Sequence, residues 1–232
     1  MEFYNECLGK FDESTLIDKY RKAKITGDAE FTKLLLGNET IEENGSDYRE
    51  GDHRNKSYNG LCFKIKDNAN QKCDEKQIIK CLFVNSLKVN KTDCNGCPLQ
   101  DKRRYVRGDF TIVDYEVPIC ARTFSKSNID LLLKETNSNI KYAVEVKPPI
   151  GNDNSILRMV AEILTYLYVL KETRPKLNYK PAIGFFEGSL QEKYYGNMSD
   201  KLSQFIVEEG ISVFCIKEDT KKSDSYYIEK LK

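Results

Sequence analysis

Three charged side chains sit where strand-forming residues surround them, in the run Asn128 to Pro149, NIDLLLKETNSNIKYAVEVKPP. Alternate residues of a strand share a face, so Glu145 and Lys147 are expected on one side of an apolar segment and Val144 and Val146 on the other. Asp130, between Ile129 and Leu131 in the preceding apolar run, would come beside Glu145 if the two runs pair as a hairpin. Charged groups in nearly buried strands are costly unless something compensates them. Two carboxylates, the Val146 carbonyl and water suit the octahedral oxygen preference of Mg²⁺ or Mn²⁺. An ammonium at Lys147 could then support an attacking water and steady charge on a phosphorane-like transition state. A solvated cross-strand pair on an exposed face is the alternative for an isolated E-x-K.

These residues need elements to hold them. Strands are expected at Phe110 to Ile119, Asn128 to Glu135, Lys141 to Lys147, Pro181 to Glu187, Ile211 to Glu218 and Tyr226 to Lys230. A helix is expected from Ser155 to Glu172 and another from Ser199 to Glu209, with the two serines as N-caps and Gly210 at the C-terminal end. Further upstream, helices are expected over Ser14 to Lys24, Asp28 to Leu36 and Asp74 to Lys88, the last with Ile78, Ile79, Leu82, Phe83 and Leu87 on helical spacing. Gly37 to Asn59 is polar and turn-rich, as a long loop would be. The alternation of strands and helices makes the class α/β.

That ordered series, a helix, a strand ending Tyr115-Glu116-Val117-Pro118, a strand with Ile129-Asp130-Leu131, a strand with Glu145-Val146-Lys147-Pro148 and then a long amphipathic helix, resembles the PD-(D/E)xK nuclease superfamily over roughly residues 74 to 218. The resemblance implies a restriction-endonuclease-like core, a central mixed β-sheet flanked by helices, that hydrolyses phosphodiester bonds in DNA with Mg²⁺ or Mn²⁺. It implies metal binding by Asp130, Glu145 and the Val146 carbonyl, with Lys147 supporting the nucleophile. It also implies an additional acid on a helix ahead of the sheet, for which Glu75 is the choice and Glu30 and Glu116 are rivals. In the RecB-like and lambda-exonuclease-like branch the helix after E-x-K carries Q-x-x-x-Y. Here Arg158, Glu162 and Tyr166 share one face at four-residue spacing, with Glu162 where that Gln would stand. Glu cannot donate as Gln does. The other reading makes Tyr166 a core aromatic and Arg158 with Glu162 a surface pair, leaving Ile156, Met159, Val160, Ile163, Leu164 and Leu167 to cover the core side.

The remaining signals are weaker. Cys94-Asn95-Gly96-Cys97 could contribute two thiolates to a structural Zn²⁺, but no partner pair stands at knuckle spacing, and free thiols are the default for the eight cysteines. His53, the single histidine, lies in a polar loop and is expected to be solvated. With no Gly-rich phosphate loop, an ATP-driven motor is excluded. Lys102, Arg103, Arg104 and Arg107, with Tyr105 interleaved, could contact a nucleic-acid backbone, as could the run Lys19 to Lys24.

The 232 residues hold 37 Lys and Arg against 36 Asp and Glu, so any polyanion must be met by local patches and bound cations. No apolar run approaches the length that spans a bilayer. The acidic start MEFYNECLGKFDE is unlike a secretory signal, so a cytoplasmic location is expected. Residues 1–73 are expected to form a helical and irregular extension and residues 74–232 the nuclease-like core. DNA is the expected partner, with RNA and a homodimer left open.

Overall fold

The computed structural model describes residues 2–7, 12–38, 41, 79, 82, 83, 86, 104–105, 108–119, 128–147, 155–218 and 225–232. Its described elements are, in order, α1 (Glu2–Glu6), α2 (Glu13–Thr26), α3 (Asp28–Leu36), β1 (Arg104–Tyr105), β2 (Phe110–Pro118), β3 (Asn128–Glu135), β4 (Lys141–Lys147), α4 (Ile156–Thr173), β5 (Lys180–Phe186), α5 (Leu190–Gly196), α6 (Asp200–Glu208), β6 (Ser212–Glu218) and β7 (Ser225–Lys230). The expected α/β class holds. The strands form one mixed sheet in the order β1-β7-β6-β5-β4-β3-β2, six full strands and a two-residue edge strand.

Period-two burial explains how one sheet separates two cores. On β4, Ala143 packs with the helices α1 to α4 and α6, while Tyr142, Val144 and Val146 pack on the opposite face. The same alternation runs through β5, where Ile183 and Phe185 face the helices and Ala182 and Phe186 face away. Of the helix expected over Asp74 to Lys88, Ile79, Leu82, Phe83 and Ser86 are described, all helical and buried; the three apolar ones belong to the opposite-face core.

β2, β3 and β4, of seven to nine residues each, pair antiparallel in sequence order and form a meander. β5 then lies parallel to β4, which forces the chain across the sheet, and α4 makes that crossing. Ser155 caps α4 by accepting the Arg158 amide, as its sequence position implies. A second crossing through α5 and α6 brings β6 parallel to β5, and β7 returns antiparallel. Ser199 caps α6, and Gly210 follows with φ +64°, a left-handed turn that a side chain would resist. The short helices α1 and α5 and the edge strand β1 were not anticipated; Ser189 caps α5 by the same serine signal.

The N-terminal helices belong to the same hydrophobic core as α4 and α6. Phe3, Leu16, Ile17 and Tyr20 are buried there, and Tyr20 stacks edge-on against Phe205 with ring centres 5.0 Å apart. Around this apolar contact runs a rim of ion pairs, Arg21 to Glu208 at 2.7 Å, Lys24 to Glu209 at 2.7 Å and Lys201 to Asp18 at 2.6 Å.

Gly184 sits on β5 opposite Val146, and a Cβ there would come within 3.2 Å of a methyl on both Val144 and Val146. The glycine lets β4 seat its two valines against β5. Gly184→Val should therefore cost about 1–3 kcal/mol by overpacking, visible as a lower thermal midpoint. An unchanged midpoint would show that the valines can move aside without cost.

Candidate functional site

β4 is interior to the sheet, and its C-terminal half presents Glu145 and Lys147 toward α4, the parity set by Ala143. Both are buried, with 2% and 4% of their surface exposed. The exposed-face alternative is thereby ruled out. α4 contributes Glu162, also buried, and Tyr166 one turn later. The Lys147 ammonium contacts Glu145 Oε1 directly and lies 3.5 Å from Glu162 Oε2, so one cation bridges strand and helix. The Tyr166 hydroxyl donates to Glu162 Oε1 at 2.7 Å and fixes that carboxylate in place. The alternative surface pairing of Arg158 with Glu162 does not occur, since Glu162 is turned inward. Leu164 and Leu167, expected on the core side, are half-buried, and Thr165, Val169 and Leu170 are buried beside the expected apolar residues.

Asp130 reaches the same place from β3. The β3–β4 register runs from Lys134 with Lys141 to Leu131 with Val144, and the next step would set Asp130 opposite Glu145. There the Asp130 side chain takes over from the backbone ladder: its Oδ2 accepts the Val146 amide at 2.7 Å. On the other flank, β2 pairs with β3 at Tyr115–Leu131 and Val117–Ile129 and skips Glu116–Asp130. Glu116 holds φ 45°, a left-handed conformation costly for a residue with a side chain. Asp130 thus stands at a break in both ladders, which frees its carboxylate to turn into the space before α4.

The electrostatics follow from this crowding. Burial raises the Glu145 pKa well above the carboxylate range, the Asp130 charge raises it further, and Glu162 adds to the effect; the Lys147 ammonium works against them. Among the described residues, three carboxyl groups thus converge on one ammonium. Glu145 Oε2 is buried without a hydrogen-bond partner among the described residues. Such an oxygen calls for a cation or a proton. Among the described residues no three Asp, Glu, His or Cys groups form a ready-made metal cage. The oxygens that converge are carboxylate oxygens, a donor class that suits a hard divalent cation better than Zn²⁺.

The other expected residues are placed as follows. Glu75, Lys102, Arg103, Arg107, Cys94, Cys97 and His53 lie outside the described residues. Arg104 opens β1 at the sheet edge, four strands from β4, roughly 19 Å at the usual strand spacing. Glu30 is exposed on α3 in the N-terminal helices, and Glu116 is half-buried on β2. Arg158 is half-buried and near α1, where its charge pulls down a Cys7 thiol that burial and Glu6 push up to about 12. Asp114, fully buried on β2 and accepting the Tyr115 amide, was not singled out from the sequence. Its signal was an acid in the middle of an apolar strand, the same signal that marked Asp130.

No family model, curated protein or solved structure matches the chain. Among the described residues no helix is long and apolar enough to cross a membrane.

A carboxyl whose pKa is higher folded than unfolded holds its proton more tightly in the native state. The native state therefore loses stability as pH rises from the ordinary carboxylate value through the raised one. Metal-free protein should lose up to about 1.4 kcal/mol per pH unit through Glu145 in that window, and Glu145→Gln should remove this component. Urea unfolding of both proteins across the pH series reads the difference; parallel curves would mean that Glu145 ionises without cost.

Proposed function

We propose that this chain is a Mg²⁺- or Mn²⁺-dependent nuclease of the PD-(D/E)xK type that hydrolyses phosphodiester bonds in DNA. The observation that carries the reading is the convergence of Asp130, Glu145 and Glu162 on one buried ammonium, with Glu145 Oε2 lacking a hydrogen-bond partner among the described residues. A meander of three antiparallel strands followed by a helical crossing to a parallel fourth supports it, because that order sets a D on one strand beside an E-x-K on the next.

Asp130, Glu145 and the Val146 carbonyl would hold the cation. The cation would supply Lewis acidity at the scissile phosphate and neutralise charge there. Asp130 keeps its orientation through the Val146 amide, so ligand and carbonyl donor are fixed by one peptide unit. A cation held there would favour the ionised form of Glu145, offsetting the burial that raises its pKa. Lys147, drawn from Glu145 toward Glu162, can donate to the attacking water and to the phosphoryl oxygens as negative charge develops. Glu162, anchored by Tyr166, holds that ammonium in position without competing for the scissile group.

The closed contact between Lys147 and Glu145 favours a second reading, a nucleic-acid-binding or interaction module that has this arrangement and does not cleave. Titrating Mn²⁺ separates the two. A site built for metal should stabilise the wild-type protein by about 2.7 kcal/mol at a hundredfold excess over Kd, and Asp130→Asn should abolish that gain. Lys147→Met and Asp130→Asn should each eliminate Mn²⁺-dependent cleavage of plasmid and linear DNA while circular dichroism stays native. Cleavage at the wild-type rate by both variants would refute the mechanism, and a wild-type protein insensitive to millimolar Mn²⁺ would point to the non-cleaving module.

A further inference from the structure

The N-terminal helices carry more cations than they use. Along α2, Arg21 and Lys24 are bound to Glu208 and Glu209 of α6, and Lys19 is bound to Glu6 of α1. Lys22 on α2 and Lys33 on α3 have no ion pair or side-chain hydrogen bond among the described residues, and both are exposed. They do not point in unrelated directions. Lys19, Lys22 and Lys33 line one groove of about 470 Å³ between α2 and α3, together with Thr26 and Glu30 and an apolar floor of Ala23 and Leu34. That volume lies in the range of pockets that hold small ligands or one unit of a polymer. Ammonium groups over an apolar floor, in a groove open to solvent, suit a chain that alternates charged phosphate with less polar sugar.

The helices that form the groove pack in the same hydrophobic core as α4, which carries Glu162. Lys19 binds Glu6, Glu6 is next to Cys7, and Cys7 lies within electrostatic range of Arg158 on α4. Arg158 is one helical turn from Glu162, which contacts Lys147.

We propose that the groove between α2 and α3 is a phosphate-backbone subsite for the nucleic acid on which the candidate site would act. This rests on the nuclease reading for the identity of the polymer. It gives the N-terminal helices a role in substrate binding in addition to completing the core. Lys22 and Lys33 contact phosphates, and Glu30 opposes binding by its charge.

The test is binding of a labelled DNA duplex in EDTA, where no cleavage occurs, across a salt series. Lys22→Ala with Lys33→Ala should weaken binding about tenfold at low salt and reduce the slope of log K against log salt by about two. Glu30→Gln should tighten binding, since it removes the carboxylate that lines the groove among the described residues. Both lysines are exposed, so the double variant should melt with the wild type, which separates lost contact from lost fold. An unchanged salt slope in the double variant overturns the inference. If the slope falls while Lys147→Met still cleaves at the wild-type rate, the groove stands and the nuclease mechanism falls. If the slope is unchanged while Lys147→Met is inactive, the mechanism stands and the groove falls.

Discussion

The buried ammonium of Lys147 is the interaction on which the rest of the arrangement depends. It lies between a strand carboxylate and a helix carboxylate, in a layer where water cannot screen either. Without it, Glu145 and Glu162 would face each other across the seam of β4 and α4 with no counter-charge, and leaving one member of a buried pair alone is far more costly than any surface pair is favourable. The seam is otherwise apolar, with Ala143, Met159, Val160 and Ile163 all fully buried. The polar cluster is thus enclosed by the packing that gives the domain its stability. Any force that opens the cluster must also disturb the helix that closes the core.

Asp130 meets a different constraint. A strand interior gives a side chain two directions, and in a regular ladder its backbone groups are all engaged. Here the ladder is interrupted on both sides of one residue, at the cost of a left-handed Glu116 and a shifted register near Ile112 and Asp114. The interruption lies beside Glu145, whose carboxyl pKa burial holds well above the usual range.

Much of the sheet was legible in the sequence because its signals are local. Asn128–Glu135 and Lys141–Lys147 have the boundaries their alternation implies, and the Ser155 and Ser199 caps start their helices as expected. The acids and lysine of the site were legible too, since a charge inside an apolar strand stands out against a period-two background. What could not be read is set by tertiary contact. Glu162 and Arg158 occupy one face by spacing, yet Glu162 turns to the sheet and Arg158 stands beside α1, a choice made by where Lys147 and Cys7 happen to lie. α5 is too short for helical periodicity to register over Leu190 to Gly196. The pairing of Lys22 and Lys33 across a groove joins two helices whose relative packing no local pattern encodes.

The order of assembly follows from where Lys147 is placed. Its first counter-charge, Glu145, is two residues away on the same strand, and Asp130 is bound to a peptide only 16 residues distant. Contacts this close in sequence close quickly, whereas the parallel pairing of β4 with β5 must wait for the whole α4 crossover. The meander can therefore carry its acids into a nascent sheet with a cation already beside them, and Glu162 joins when the helix docks. A lysine supplied by a distant element would have left those acids repelling each other through the slowest part of folding.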